Sequence, residues 1–335
     1  MLSMSHPPVS VPIMFVRGLL TGVYGRGLDP TPFLEEAGIL SELVGHDGAR
    51  VTGEQYIALF RVVAQRLQDD GLGFFSRPLH TGSAMLVMRS AIGAPTLEVA
   101  MRRVARTFQL LQDDVVLDSI REGSLAGWAL DFRSGPHPNF LHEMLLRVLW
   151  RLLAWLVAVR LPAERFDLAF ETPTYAGDYG AVLPAELRFG QLRSAFWIDA
   201  HALHRPVRRD EPALRAYLAD FANNVILPRR DDNVGTRVRL SLRSANPAWP
   251  DLATIADALH MSPSTLQRHL AAEGTTFQLL KDELRRDIAI SRLNTSTVSL
   301  AALAGELGFS DSAAFQRAFK SWTGSPPGAY RRGAV

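Results

Sequence analysis

Apolar residues recur at helical spacing through much of the chain. Glu54 to Leu67 places Tyr56, Leu59, Phe60, Val63 and Leu67 on one face, and Leu97 to Leu111 does the same with Val99, Ala100, Val104, Phe108 and Leu111. Both stretches predict amphipathic helices, and Pro95 ahead of Thr96 and Glu98 marks the start of the second. The period changes in Val115-Val116-Leu117 and in Leu125 to Phe132, which predict paired strands across the turn-prone Arg121-Glu122-Gly123-Ser124. Phe166 to Phe170 and Phe196-Trp197-Ile198 predict short strands. Strands set among long helices define an α+β N-terminal domain, not a barrel of short glycine-punctuated strands. In the longest apolar run, Phe140 to Leu161, Glu143, Arg147 and Arg151 fall at steps of four. The uninterrupted part, Leu152 to Val159, is too short to cross a bilayer, so the run predicts a buried core helix with one solvated stripe.

Ala213 to Leu227 is again amphipathic, with Leu214, Tyr217, Leu218, Phe221 and Val225 on a shared face. That face is a candidate dimer contact; the competing reading packs it on its own domain. Pro228-Arg229-Arg230-Asp231-Asp232 then breaks the pattern with a proline and dense charge. The expected organisation is a domain over 1–227, a linker over 228–232 and a second domain over 233–335, which opens with a helix carrying Val238, Leu240 and Leu242.

The second domain contains a repeat. Ile255-Ala256-Asp257-Ala258-Leu259-His260-Met261-Ser262 is echoed by Leu303-Ala304-Gly305-Glu306-Leu307-Gly308-Phe309-Ser310, and each block precedes a second helical stretch. A helix, a short turn and a helix opening on serine is the grammar of a helix-turn-helix, which reads the DNA major groove. The two units span about 251–273 and 299–322. Asp251, Ser262, Ser299 and Ser310 are the expected N-caps, and Pro263 takes a first helical position, where its missing N–H costs nothing. Leu266 and Leu270 point inward in one unit, and Phe315, Ala318, Phe319 and Trp322 in the other. That leaves Ser264, Thr265, Gln267 and Arg268, then Ser312, Ala313, Gln316, Arg317 and Lys320, facing double-stranded DNA. Gln bonds adenine and Arg bonds guanine bidentately, so the repeated Gln-Arg pair is the sharpest candidate. Phe277 to Leu293 reads as one long helix that fixes the separation of the two heads, about 34 Å for successive turns of DNA.

Composition adds a few limits. The 335 residues suffice for two cores, and 47% apolar with 21% charged residues is ordinary for a globular protein. With no cysteine there is no disulfide, thiolate metal site or cysteine nucleophile. From Asn233 onward twelve Lys/Arg face eight Asp/Glu, against twenty-four and twenty-six before it, so the basic surplus sits with the repeat. Lys281 and Lys320 are the only lysines, a bias of GC-rich bacterial codon usage. Met1 to Pro12 shows no secretory signal pattern, and the expected location is the cytoplasm.

The repeat also carries a resemblance. Ala256, Leu259, Ser262, Leu266-Gln267-Arg268, Gly274, Phe277, Arg285, Ala289, Ala304, Leu307-Gly308-Phe309, Phe315-Gln316-Arg317-Ala318-Phe319-Lys320, Gly324, Pro327 and Tyr330-Arg331 form a pattern that resembles the AraC/XylS-type bacterial transcription regulators. The resemblance implies contacts to DNA from positions matching Ser264, Gln267 and Arg268 and from those matching Ser312, Ala313, Gln316 and Arg317. Two departures stand out: His260 replaces a usual turn glycine, and Ser264 and Ala313 are small for base readout. Phe33 to Ile39, Ala94 to Ala100, Leu187 to Gly190 and Leu203 to Pro206 resemble one branch of that family, whose effector-sensing N-terminal domain is named for arabinose binding. The implied protein is a one-component regulator with a small-molecule effector, a homodimer able to contact RNA polymerase; activation is favoured over repression by the resemblance alone.

Enzyme signatures are missing. There is no G-x-S-x-G, G-x-x-x-x-G-K or H-E-x-x-H. Gly22 to Gly27 reads as a plain loop, His201 and His204 as a surface turn, and the pairs Asp69-Asp70 and Asp113-Asp114 as solvated. Trp128, Phe140, Trp150, Trp155 and Phe170 read mostly as core, with an apolar effector pocket as the alternative. No cofactor and no metal are expected. Two rival readings stay open: a regulator without an effector, whose N-terminal domain only dimerises or binds a protein partner, and a DNA-acting enzyme that borrows the repeat for targeting.

Overall fold

Short-range signals account for most of the elements. The structure, a computed structural model, describes residues 10–133, 135, 137–219, 221 and 234–331. Strand β1 (Ser10–Pro12) is followed by helices α1 (Ile13–Gly25) and α2 (Thr31–Glu36). Strand β2 (Arg50–Thr52) leads into α3 (Gly53–Leu67), then α4 (Ser83–Ala91) and α5 (Leu97–Leu111). The hairpin β3 (Val115–Glu122) and β4 (Leu125–Phe132) precedes the long helix α6 (Asn139–Val157). Strands β5 (Arg165–Asp167), β6 (Glu186–Arg188) and β7 (Ser194–Asp199) come before α7 (Glu211–Ala219). The rest is helical: α8 (Val234–Ser244), α9 (Leu252–Ala258), α10 (Pro263–Ala272), α11 (Phe277–Thr295), α12 (Leu300–Glu306) and α13 (Ser312–Thr323). The described residues fall into two compact units, one within 1–13, 37–56 and 229–335, the other within 14–36 and 57–228.

The unit of 14–36 and 57–228 is built on a sheet of order β3-β4-β7-β5-β6, antiparallel except for β5 with β6. Trp128 lies opposite Phe196 in the β4–β7 ladder, and both are fully buried with their rings edge to face at 6.0 Å. Gly127 is required beside them because a Cβ there would collide with the Phe196 carbonyl. The structure supports the core reading for Trp128, Phe140 and Trp150, all buried; the Trp150 indole donates to the Leu161 carbonyl.

Several local expectations are corrected in this unit. The stripe on α6 is not solvated: Glu143 and Arg147 are buried, Glu143 accepting hydroxyls of Tyr175 and Tyr179 and Arg147 donating to the Val182 carbonyl. Asp69 is buried too, because its carboxylate accepts the backbone N–H of Gly71, Gly73 and Leu79. Asp114 accepts from Ser76, while Asp113 stays exposed. Gly22 and Gly25 belong to α1 rather than to a loop, and a Cβ on Gly22 would strike the Leu72 carbonyl. His201 and His204 lie exposed in a 3₁₀ turn.

Helix α7 is described only to Ala219, with Phe221 beyond it; Val225 and the linker over 228–232 lie outside the described residues. Leu214 and Tyr217 are buried within their own unit, Tyr217 stacking on Trp155 at 4.7 Å, whereas Leu218 and Phe221 are half-buried.

The other unit joins distant segments. The β1–β2 pair runs antiparallel, and Ser10 Oγ donates to Asp287 Oδ1 of α11 at 2.5 Å. The Arg50 backbone N–H donates to the Tyr330 hydroxyl at 2.9 Å, and its guanidinium to Ser10. With 19 residues, α11 is about 28 Å long at 1.5 Å per residue. Its apolar face buries Leu280, Leu284, Ile288 and Leu293.

Candidate nucleic-acid interface

Each helix-turn-helix is assembled by caps and a small apolar seam. Asp251 accepts from the Thr254 N–H at 2.9 Å, and this bond holds its carboxyl below the usual carboxylate range. Ser262 caps α10 through the Thr265 N–H, with Pro263 in the first turn, and Ser299 caps α12 through Ala302 N–H. The cap of α13 differs from expectation. Asp311, not Ser310, accepts the Ala314 N–H at 2.7 Å, and Ser310 instead bonds the Asp311 carboxylate. Asp311 has the extended backbone an N-cap needs, one residue later than the serine.

Both turns need a left-handed residue. His260 has φ +57° and Gly308 φ +73°. At Gly308 a Cβ would lie 2.8 Å from Trp249 Cδ1. His260→Gly is therefore expected to change stability by no more than about 1 kcal/mol, relief of φ being offset by a looser unfolded chain. Gly308→Ala is expected to cost about 2 kcal/mol or more. Urea unfolding of the two variants checks the asymmetry; equal losses would contradict it.

The seams leave the expected faces free. Leu266 and Leu270 are buried in the first unit, Phe315 and Phe319 in the second, with Ala318 and Trp322 half-buried. Ser264, Gln267 and Arg268 are exposed along α10, and Thr265 is half-buried, its hydroxyl accepting from Ser262. On α13, Ala313, Gln316, Arg317 and Lys320 are exposed, and half-buried Ser312 accepts from the Gln316 amide at 3.2 Å. Arg285 on α11 ties the two heads together. Its guanidinium lies between the Trp249 ring (4.9 Å) and the Phe309 ring (5.1 Å), and the Trp249 indole donates to the Glu306 carbonyl at the end of α12. Lys281, one turn earlier, donates to the Trp249 and Pro250 carbonyls.

The sheet-bearing unit has its own polar centre, which periodicity did not reveal. Burial pushes the Glu143 carboxyl up to about 7 against the pull of the Tyr179 and Tyr175 hydroxyls. Next to it, burial and the neighbouring His137 push His142 down to about 4; its Nδ1 pairs with Ser194 Oγ at 2.8 Å. Tyr175 and Tyr179 sit four residues apart just before and within a 3₁₀ turn, the one sequence signal that could have flagged them.

The pKa directions give a pH test. A carboxyl whose folded pKa rises from 4.5 to about 7 stabilises the fold most below 4.5, and that contribution is lost as pH rises through 7. His142 works the other way: its contribution is full above 6.5 and is lost as pH falls through about 4. From pH 5 to 8, wild type is expected to lose roughly 2–3 kcal/mol relative to Glu143→Gln. Parallel unfolding curves for the two proteins across that range would contradict the assignment.

Among the described residues no helix is long and apolar enough to cross a membrane, and no group of three or more His, Cys, Asp or Glu is placed to hold a metal ion. Two capped helix pairs held by one bridging helix, in a chain with a separate sheet-bearing unit, are the architecture of a DNA-binding regulator. A family model described as the arabinose-binding domain of AraC transcription regulators, N-terminal, matches residues 27–207, and one described as a helix-turn-helix domain matches 255–333. The chain belongs to the AraC family of transcription regulators. It is 26% identical over 328 residues to the ornithine utilization regulator of Pseudomonas aeruginosa, covering 96% of each chain. It is 25% identical to the regulator VirS of Mycobacterium tuberculosis over 91% of each. The urease operon transcriptional activator of Escherichia coli is 35% identical over 80 residues, 24% of this chain and 27% of that one. These relatives are regulators, and the chain is a transcription regulator rather than an enzyme.

Proposed function

We propose that the chain is a one-component, sequence-specific activator that reads two stretches of major groove and is controlled by a small molecule bound in its N-terminal domain. The repeated, exposed Gln-Arg pair on α10 and α13 carries this reading: Gln267 with Arg268, and Gln316 with Arg317, take equivalent places on two capped helices. In this reading Gln267, Arg268, Gln316 and Arg317 reach bases. Ser264, Thr265, Ser312, Ala313 and Lys320 line the groove or its phosphates. The regulator works as a homodimer, with Leu218 and Phe221 the residues of the candidate face left partly open. Effector control is a coupling free energy between ligand and DNA sites. Activation is supported by the name of the urease operon relative and requires contact with RNA polymerase.

Run-off transcription tests the proposal, using purified bacterial RNA polymerase and a template whose promoter carries a site bound by the full-length chain. The expected result is a rise in transcript that requires the bound site. A fall would replace activation by repression.

A further inference from the structure

Glu143 is a carboxylate in an unusual position. It lies on the second turn of α6 with 3% of its surface exposed. Its donors are two tyrosine hydroxyls, Tyr175 at 3.1 Å and Tyr179 closer still, and both reach the same oxygen, Oε1. Among the described residues nothing donates to Oε2, and no cationic side chain is among the groups that act on the carboxyl. Arg147, one turn along the helix, is directed at the Val182 carbonyl. A carboxylate taken out of water without a cation is costly in its ionised form.

The surroundings are aromatic on several sides. Phe15 meets Tyr175 at 6.2 Å and Tyr179 at 6.3 Å, both edge to face. Tyr175 and Tyr179 lie 5.6 Å apart, and Phe189 is 5.9 Å from Tyr179. Ring faces attract cations electrostatically, and aromatic cages recognise ammonium ligands. Tyr175, at the entrance to the 3₁₀ turn Ala176–Ala181, and Phe189 are half-buried, so they are the walls that reach solvent.

We infer that Glu143, with Phe15, Tyr175, Tyr179 and Phe189, forms a recognition site for the ammonium group of a small organic amine. The ammonium donates to Oε2, or takes the place of the Tyr175 hydroxyl at Oε1, and the rings cover its alkyl neighbours. The inference deepens the effector reading above and rests on it only for the consequence of binding on DNA. The groups facing the carboxyl are Tyr175, pushed up to about 12 chiefly by burial, and Tyr179, pushed up for the same reason and by the carboxylate charge. Both stay neutral near pH 7, so the carboxyl is the group that titrates. An amine that holds it ionised releases its proton to solvent, and affinity rises with pH until the carboxyl is ionised in the free protein.

Isothermal titration of the full-length chain with butylamine and 1,4-diaminobutane, against butyrate and 1-butanol, tests the site. The expected result is saturable binding of the amines alone, with affinity rising up to tenfold per pH unit below 7 and levelling above it. Glu143→Gln is expected to weaken amine binding at least tenfold. Tyr175→Phe keeps the ring and the acid but removes a hydroxyl that draws the carboxyl down, so it still binds amines and its affinity levels off at a higher pH than in wild type. A purely structural Glu-Tyr-Tyr cluster predicts no amine binding to any of the three proteins. That outcome overturns the inference, as does equal binding by wild type and Glu143→Gln. DNA affinity is measured separately with and without the amine: binding that leaves DNA affinity unchanged upholds the site and overturns effector control.

Discussion

Arg317→Ala, and separately Arg268→Ala, is expected to reduce affinity for the cognate site by about 1–3 kcal/mol, concentrated at one base pair for each variant. Both side chains are exposed on the outer face of a capped helix whose inner face is fixed by buried Leu266 and Leu270 or by Phe315 and Phe319. Neither takes part in those seams, so each variant should fold as wild type. The two arginines stand on different heads, so the losses should add, and the double variant should fall toward non-specific binding. The salt slope separates two roles. An arginine that clamps phosphate lowers affinity equally on every sequence and reduces the slope by about one ion. Competition binding against single-base variants of the site makes the distinction.

The second large effect lies far from the DNA face. Asp287→Ala is expected to destabilise the unit holding the two heads by about 3–5 kcal/mol, the usual cost of breaking a buried ionic cluster. Burial pushes this carboxyl up, while Arg286, Ser10, Arg239 and Arg50 draw it back. Ser10 bonds it at 2.5 Å, and Arg286 and Arg239 approach at 3.4 and 3.7 Å. Without the carboxylate the β1 hydroxyl loses its acceptor and Arg286 faces a void. Hydrogen exchange over Phe277–Thr295 reads the effect directly. Protection there should fall in Asp287→Ala, and in Ser10→Ala by a smaller amount; unchanged protection in both would mean that β1 does not brace α11.

This cluster also marks where sequence reading stops. Ser10 and Asp287 are 277 positions apart, and no period or motif links a three-residue strand to a helix at such a distance. Strands β1, β2 and β6 have three residues each, too few for alternation to register. What is local was legible. The caps Asp251, Ser262 and Ser299 and the inward Leu266 and Phe315 follow from spacing and residue type, while His260 at its turn is marked by the family resemblance. The Ser310–Asp311 miss arose because both residues can cap and only the backbone decides between them. Spacing alone makes Glu143 and Arg147 a solvated stripe, because their partners, Tyr175, Tyr179 and Val182, come from a loop more than thirty residues away. Helical spacing reports which residues share a face, not what that face meets.

That two heads on one bridging helix each read bases is tested most directly by selecting bound sites from random DNA with the full-length chain. Two enriched sub-motifs are expected, separated by about one helical turn, roughly 34 Å, one lost in Arg268→Ala and the other in Arg317→Ala. A single sub-motif, indifferent to one of these substitutions, would reduce that head to a backbone clamp and overturn base reading by both heads.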